Sequence, residues 1–537
     1  MKTIRRVYLQ VFISLLVISL LFPGSALAGV TALDEVRELL RSDYFEPVPA
    51  DVLNSPSIEV MLKKLDDPHT NFLSAADYQD FNDSLEQTFS GIGIYFDVVA
   101  EGVKITGLIK GSPSETAGLQ TGDIVTSAGG YSLQGLSSEE AIPLIRGPKG
   151  SKVQLTIMRA GKTFSTRVER NDIEVPTVND ELKPNNIGYL RISTFGFETG
   201  DLFGNCLEKL RSQNPSAYIV DLRDNGGGYV NAALDIAGYF IGDKVAIQTQ
   251  YREGPASLDH AENHSYLVDK PTLFLINENS ASASEILAGA IKDYNKALII
   301  GTQSYGKGSM QQLYSLDSGD YFKMTVAHFL SPLGQQINHK GITPDLLIEQ
   351  SDALKVAELL LSDCDTSGDT NGLVKFDLAA YSIVIDTHQA REPEYWQAYG
   401  EIMDRVGLGI MKGRPWGWEN VSNEERSALW SLYYPDYQYG NDLKDVPLDK
   451  KFTLHFPRSV DWATANKTNI ELIDVKTGER VPLDFEPLSS TELQAAPSDA
   501  LLPAATYWLV LHPGIKYEDM SILPTGILYT VNTSVIK

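Results

Sequence analysis

Four short apolar runs constrain most strongly what this chain can fold into: Ile187–Ile192, Ala217–Leu222, Leu273–Ile276 and Leu298–Ile300. Each is shorter than an ordinary helix and reads as a buried strand. Amphipathic segments such as Tyr229–Phe240 and Ile286–Ile291 lie between them, the alternation expected of an α/β layer. A chain of 537 residues is long enough for several domains, each with its own core.

The third run leads into Asn277-Glu-Asn-Ser-Ala-Ser282, which opens a segment of small residues. A strand that delivers a serine to a helix start exposes its hydroxyl and leaves free backbone N–H groups beside it. Such groups can stabilise an oxyanion. Lys307 and Gln311 follow in Ser304-Tyr-Gly-Lys307-Gly-Ser-Met-Gln311, with Gly306 and Gly308 flanking the lysine. A lysine replaces histidine as a base when burial lowers its pKa, because desolvation disfavours the ammonium. The competing view of Lys307 is a solvated surface charge, and of Gln311 an exposed polar residue.

Upstream, residues 31–89 read as helical, with Leu33, Val36, Leu40, Met61, Leu62 and Leu65 near helical spacing and a loop at Asp66–Leu73. Within that loop His69 is expected to order the chain rather than act as a base. From Ser90 the pattern turns to β. Gly91-Ile-Gly93-Ile94 opens a strand, Gly118-Leu-Gln-Thr-Gly122-Asp123 supplies a turn, and Ser137-Ser-Glu-Glu140 is a capping box before a short helix. Glycines at 91 and 93 allow backbone N–H groups to converge on a terminal carboxylate while the strand edge pairs with a peptide.

Taken together, residues 31 to about 350 resemble the C-terminal processing peptidases, tail-specific serine proteases with a PDZ domain. The resemblance implies a multidomain α/β and β architecture. A helical segment (29–89) would precede an inserted PDZ domain (90–172) and an α/β, crotonase/ClpP-like protease core (173–350). It implies Ser282 as nucleophile, Lys307 as general base and Gln311 as the residue orienting the lysine. Oxyanion donors would be Ala283 and a glycine of Gly226-Gly-Gly228, with Gly227 chosen over Gly228. Gly91, Ile92, Gly93 and Ile94 would bind the peptide C-terminus. Family members often have Pro where Gly226 stands, and Pro143 interrupts the groove helix, a departure that can kink it. The rival class is a catalytically silent PDZ-based peptide-binding scaffold, against which the intact Ser, Lys and Gln set speaks.

Ser304-Tyr-Gly-Lys307 and Lys476-Thr-Gly478 also match two motifs of penicillin-binding enzymes. That chemistry needs Ser and Lys one helical turn apart, whereas glycines bracket Lys307, and no Ser-Asp-Asn occurs. No cofactor and no metal are expected. Asp363-Cys-Asp365 hints at a calcium loop, but Val374 occupies the twelfth position, where a bidentate Glu is needed.

The first 28 residues read as a secretory signal, with Lys2, Arg5 and Arg6, the apolar stretch Val11–Phe22, and Ala26-Leu-Ala28 as cleavage site. An exported protein is therefore expected, whether periplasmic, envelope-associated or extracellular. Its net charge of −25 argues against nucleic acid as a partner. Protein or peptide substrates with apolar C-termini are the expected partners, with envelope association and homo-oligomerisation left open. Residues 351–444, with Trp396, Trp416, Trp418 and Trp430, read as helical or irregular and suggest no function. Residues 445–537 read as short strands and resemble an immunoglobulin-like β-sandwich expected to fold on its own.

Overall fold

The computed structural model describes residues 31–364, 366–407 and 409–535; the expected signal segment lies outside the described residues. Its centre is a six-stranded sheet in the order Val178–Lys183, Ile187–Ile192, Ala217–Asp221, Thr272–Ile276, Leu298–Gly301 and Leu346–Leu347. The first pair is antiparallel and the others are parallel. The three strands from Ala217, Thr272 and Leu298 are buried at every position. Strands covered on both faces read as continuous apolar runs, which is why these were visible in the sequence.

The two faces divide by the period of two. Val220, Phe274 and Ile276 pack with the helices Thr199–Arg211, Val230–Ile241 and Ala283–Asp293. Ile219, Leu273 and Leu275 face the other way, onto the helices Ala353–Leu360 and Pro393–Arg405. The segment 351–444 therefore covers one face of the central sheet. It also contains four strands, Leu373–Leu378, Tyr381–Asp386, Met411–Arg414 and Gly417–Asn420, so it is not merely helical or irregular.

A second sheet carries the strands Val245–Tyr251, Ser257–His260, Ser309–Ser315 and Tyr321–Leu330. Its edge strand, Asn71–Leu73, comes from the expected helical lead-in. Val36, Leu40 and Met61 of that lead-in bury against Phe322, Met324 and Val326, so it belongs to the body of the molecule.

Residues 94–169 form a separate small domain, a sheet with the helix Ser138–Ile145 over a core of Val103, Ile105, Val125, Leu155 and Ile157. Pro143 lies inside that helix, which stops two residues later and still buries Ala141 and Ile145. The chain enters the domain through Thr88–Gly91 and leaves through Asn171–Glu174, and these two strands pair antiparallel. A two-stranded stalk thus joins the domain to the body.

At the C-terminus, a five-stranded sheet and a three-stranded sheet share a core that includes Phe452, Leu454, Leu472 and Leu509. The boundary at residue 445 falls inside the strand Gln438–Val446, which pairs with Ile527–Thr533. The unit is also not detached, because Ile473, Trp508, Val510 and Leu528 join the core of the preceding segment. Trp396 packs against Trp508 with ring centroids 5.5 Å apart, and its indole N–H donates to Val475 O at 2.9 Å.

Candidate active site

Ser282 stands where the strand Thr272–Ile276 turns into the helix Ala283–Asp293. Its backbone has φ 56° and ψ −112°, a conformation disfavoured for a residue with a Cβ, costing on the order of 1–3 kcal/mol. Neighbouring loops hold it there. Asn225 O accepts from Ala281 N at 3.0 Å and from Ser284 Oγ at 2.8 Å. Ser280 Oγ donates to Leu222 O at 2.8 Å, and Asp224 N to Asn277 Oδ1 at 2.9 Å. The loop after Ala217–Asp221 and the loop before Ser282 are therefore stapled together.

The glycine loop passes against the serine itself. A Cβ on Gly227 would lie 2.8 Å from Ser282 Cβ and 2.7 Å from Ala281 O, so only glycine fits there. The Gly227 N–H donates to Asn225 Oδ1 at 2.9 Å. For it to serve an oxyanion, that bond must be exchanged. Ala283 is fully buried at the first turn of the helix.

Lys307 is brought in by a loop whose approach again depends on glycine, since a Cβ on Gly308 would fall 2.4 Å from Asn338 N. The contact that ties this loop to Ser282 is the carboxylate of Glu285, which is completely buried. Its Oε2 accepts the Ser282 N–H at 2.9 Å and the Lys307 N–H at 2.8 Å. Its Oε1 accepts from Ser304 Oγ at 2.6 Å and from Gly306 N at 2.7 Å. Four donors match the lone-pair capacity of one carboxylate.

The Lys307 ammonium is in no ion pair among the described residues. Burial lowers its pKa, and the Lys323 ammonium nearby lowers it further, against smaller opposing effects of Asp67 and Glu285. Burial also depresses His69, assisted by the charge of Lys307. Gln311 sits at a β-bulge between Met310 and Gln311 in the pairing of Ser309–Ser315 with Tyr321–Leu330. Such bulges re-aim side chains.

Ser282, Lys307, Gln311 and Gly227 all line one cavity of about 710 Å³, walled on another side by Tyr78, Phe81 and Leu85 of the helix Ala75–Leu85. Gly91, Ile92, Gly93 and Ile94 are not in it; they lie at the top of the stalk, with Ile92 buried in the small domain. Two separate places are thus present, a strand-edge loop and a catalytic-type cavity. Lys307 lies in a loop, not one helical turn after Ser304, whose hydroxyl is spent on Glu285. Glu285, Asn225, Lys323 and Thr325 were not singled out from the sequence. Only Glu285 leaves a signal there, as the fourth residue of Ser-x-x-Glu.

The profile of peptidase family S41 matches residues 186–348, and that of the PDZ domain matches residues 90–169. The chain is 34% identical over 362 residues to the carboxy-terminal processing protease CtpA of Bacillus subtilis (strain 168), covering 66% of this chain and 78% of that protein. It is 34% identical over 340 residues to CtpB of the same organism, covering 62% of this chain and 70% of that protein. Among solved structures, a photosystem II D1 C-terminal processing protease matches with a TM-score of 0.40 and 24% identity, over 62% of this chain and 94% of that one.

Proposed function

Because this chain belongs to peptidase family S41, with carboxy-terminal processing proteases as relatives, and is a serine-type peptidase, we propose that Ser282 is its nucleophile and Lys307 its general base. The neutral amine of Lys307 takes the Ser282 hydroxyl proton as Oγ attacks the peptide carbonyl. The developing oxyanion is met by the N–H of Ala283 and by that of Gly227, the latter on exchanging its bond to Asn225. The Lys307 ammonium then protonates the departing amine, leaving an acyl group on Ser282. A water deprotonated by Lys307 releases it. Gln311 holds the lysine through its side-chain carbonyl. The observation that carries this proposal is the shared Glu285 oxygen, which sets Ser282 and Lys307 at one point of one cavity.

Substrates in this proposal are proteins with apolar C-termini, whose terminal carboxylate is cradled by Gly91–Ile94 of the PDZ domain. The first 28 residues support export, and with it a periplasmic, envelope or extracellular place of action. The two C-terminal sheets with a common core support an immunoglobulin-like sandwich, beginning at Gln438, for partner or envelope attachment. The test is incubation with an unfolded protein bearing an apolar C-terminus. Cleavage should fall by about 10³-fold or more in both Ser282→Ala and Lys307→Ala, with peptide binding retained. Undiminished cleavage in either variant rejects the pair.

A further inference from the structure

Gln311 can assist Lys307 only if its amide presents the carbonyl oxygen to the lysine and not the NH2 group. The two ends of a glutamine amide are nearly equal in shape, so hydrogen-bond partners decide which way it faces. Both hydrogens of Gln311 Nε2 have acceptors in this structure. Ser309 Oγ lies at 3.0 Å and Thr325 Oγ1 at 3.3 Å.

A threonine hydroxyl can donate or accept, so Thr325 would by itself leave the amide ambiguous. Its single proton is committed elsewhere, because Thr325 Oγ1 donates to Asp67 Oδ2 at 2.7 Å. Asp67 Oδ2 also accepts from Thr70 Oγ1 at 2.6 Å, and Oδ1 from His69 N at 2.9 Å. Burial raises the Asp67 carboxyl, but the Thr70 hydroxyl, the His69 N–H and the Thr325 hydroxyl outweigh it and hold it below the usual range. An ionised carboxylate only accepts, so the Thr325 proton points at Asp67 and its lone pairs turn to Gln311. The amide must then give Thr325 its NH2, and Oε1 is left for the lysine.

The backbone fixes this chain of donors as firmly as the side chains do. Thr325 stands opposite Gln311 in the strand register. The Thr325 N–H donates to Thr70 Oγ1 at 3.1 Å, and Thr325 O accepts from Phe45 N at 3.1 Å. The N-terminal segment is thereby sewn to the strand that carries the threonine.

We propose that Asp67 and Thr325 are positioning residues that set the direction of the Gln311 amide, so that the N-terminal loop Asp66–Thr70, between the helix Ile58–Leu65 and the edge strand Asn71–Leu73, completes the catalytic site without touching substrate. This rests on Gln311 assisting Lys307, as proposed above. A double-mutant cycle tests it, with kcat and KM measured on an unfolded protein bearing an apolar C-terminus. Thr325→Val removes the hydroxyl at nearly constant shape. It should lower kcat about tenfold with KM within about twofold, while Thr325→Ser should restore the rate. Asp67→Asn, which can offer its own NH2 to Thr325 and reverse the chain, should act like Thr325→Val and covers the case in which the valine variant does not fold. In a Gln311→Ala background neither substitution should slow the enzyme further. Independent, multiplying losses, or a Thr325→Val enzyme with wild-type kcat beside a slow Gln311→Ala enzyme, overturn the positioning chain alone. A Gln311→Ala enzyme with wild-type kcat overturns the role of Gln311 and the chain together.

Discussion

The backbone N–H groups of Ser282 and Lys307 donate to the same atom, Oε2 of Glu285, at 2.9 and 2.8 Å. A residue at the start of a helix and one in a distant loop are thereby held at a fixed separation by a carboxylate that reaches neither functional atom. Glu285→Gln replaces one accepting oxygen by a donating NH2 that must face two N–H donors, or a hydroxyl and an N–H. We expect kcat to fall by about 100-fold or more, and stability by about 2–4 kcal/mol, because buried donors lose their acceptor. Steady-state kinetics and thermal unfolding of the same sample check both.

The pH dependence has a definite sign. Lys307, as the proposed base, must be neutral to act, so kcat should rise with pH as its ammonium form is lost. Burial, and then the charge of Lys323, place that rise below the ordinary lysine range. Lys323→Gln removes a repelling positive charge, raises the Lys307 pKa, and should move the midpoint of the kcat–pH profile to higher pH. A midpoint that stays in place or moves down would exclude the coupling.

If a terminal carboxylate is held by the Gly91–Ile94 N–H groups as proposed, it forms charge-assisted hydrogen bonds there. C-terminal amidation of a peptide ligand should weaken binding by about 10–100-fold, corresponding to about 1.5–3 kcal/mol. Calorimetry with free-acid and amidated forms of one peptide reads this directly.

The C-terminal sheets should not be dispensable for the body. Deleting residues 438–537 uncovers Trp396, Tyr433 and Tyr434, which pack on Trp508. A less stable, aggregation-prone body is expected. Trp508→Ala in the full chain should cost about 3–5 kcal/mol, as measured by denaturant unfolding.

Legibility in the sequence followed the range of the interactions. The strand Thr272–Ile276 and its junction with Ser282 are visible because burial on both faces makes a local apolar run. Lys307 is visible because glycines bracket it. Glu285 is half visible: Ser-x-x-Glu reads as an ordinary helix cap, and the lysine loop reaches its carboxylate through long-range contacts such as Gly308 on Asn338 and Tyr305 N–H on Ser280 O. Asp67 and Thr325 are 258 residues apart in sequence, and no local pattern links them. The aromatic residues of 351–444 show no period because their partners, such as Trp508, lie in another segment.

The pairing of Ser282 with Lys307 is tested most directly by the rate at which Lys307→Arg cleaves an unfolded substrate between neutral and alkaline pH, with peptide binding to the PDZ domain as the control for folding. Guanidinium keeps the charge and most of the size of lysine but stays protonated throughout this range. Cleavage should fall by about 10³-fold or more at every pH while peptide affinity is unchanged. Turnover near the wild-type rate, rising with pH in the same way, would contradict the account and assign the proton transfer to another base.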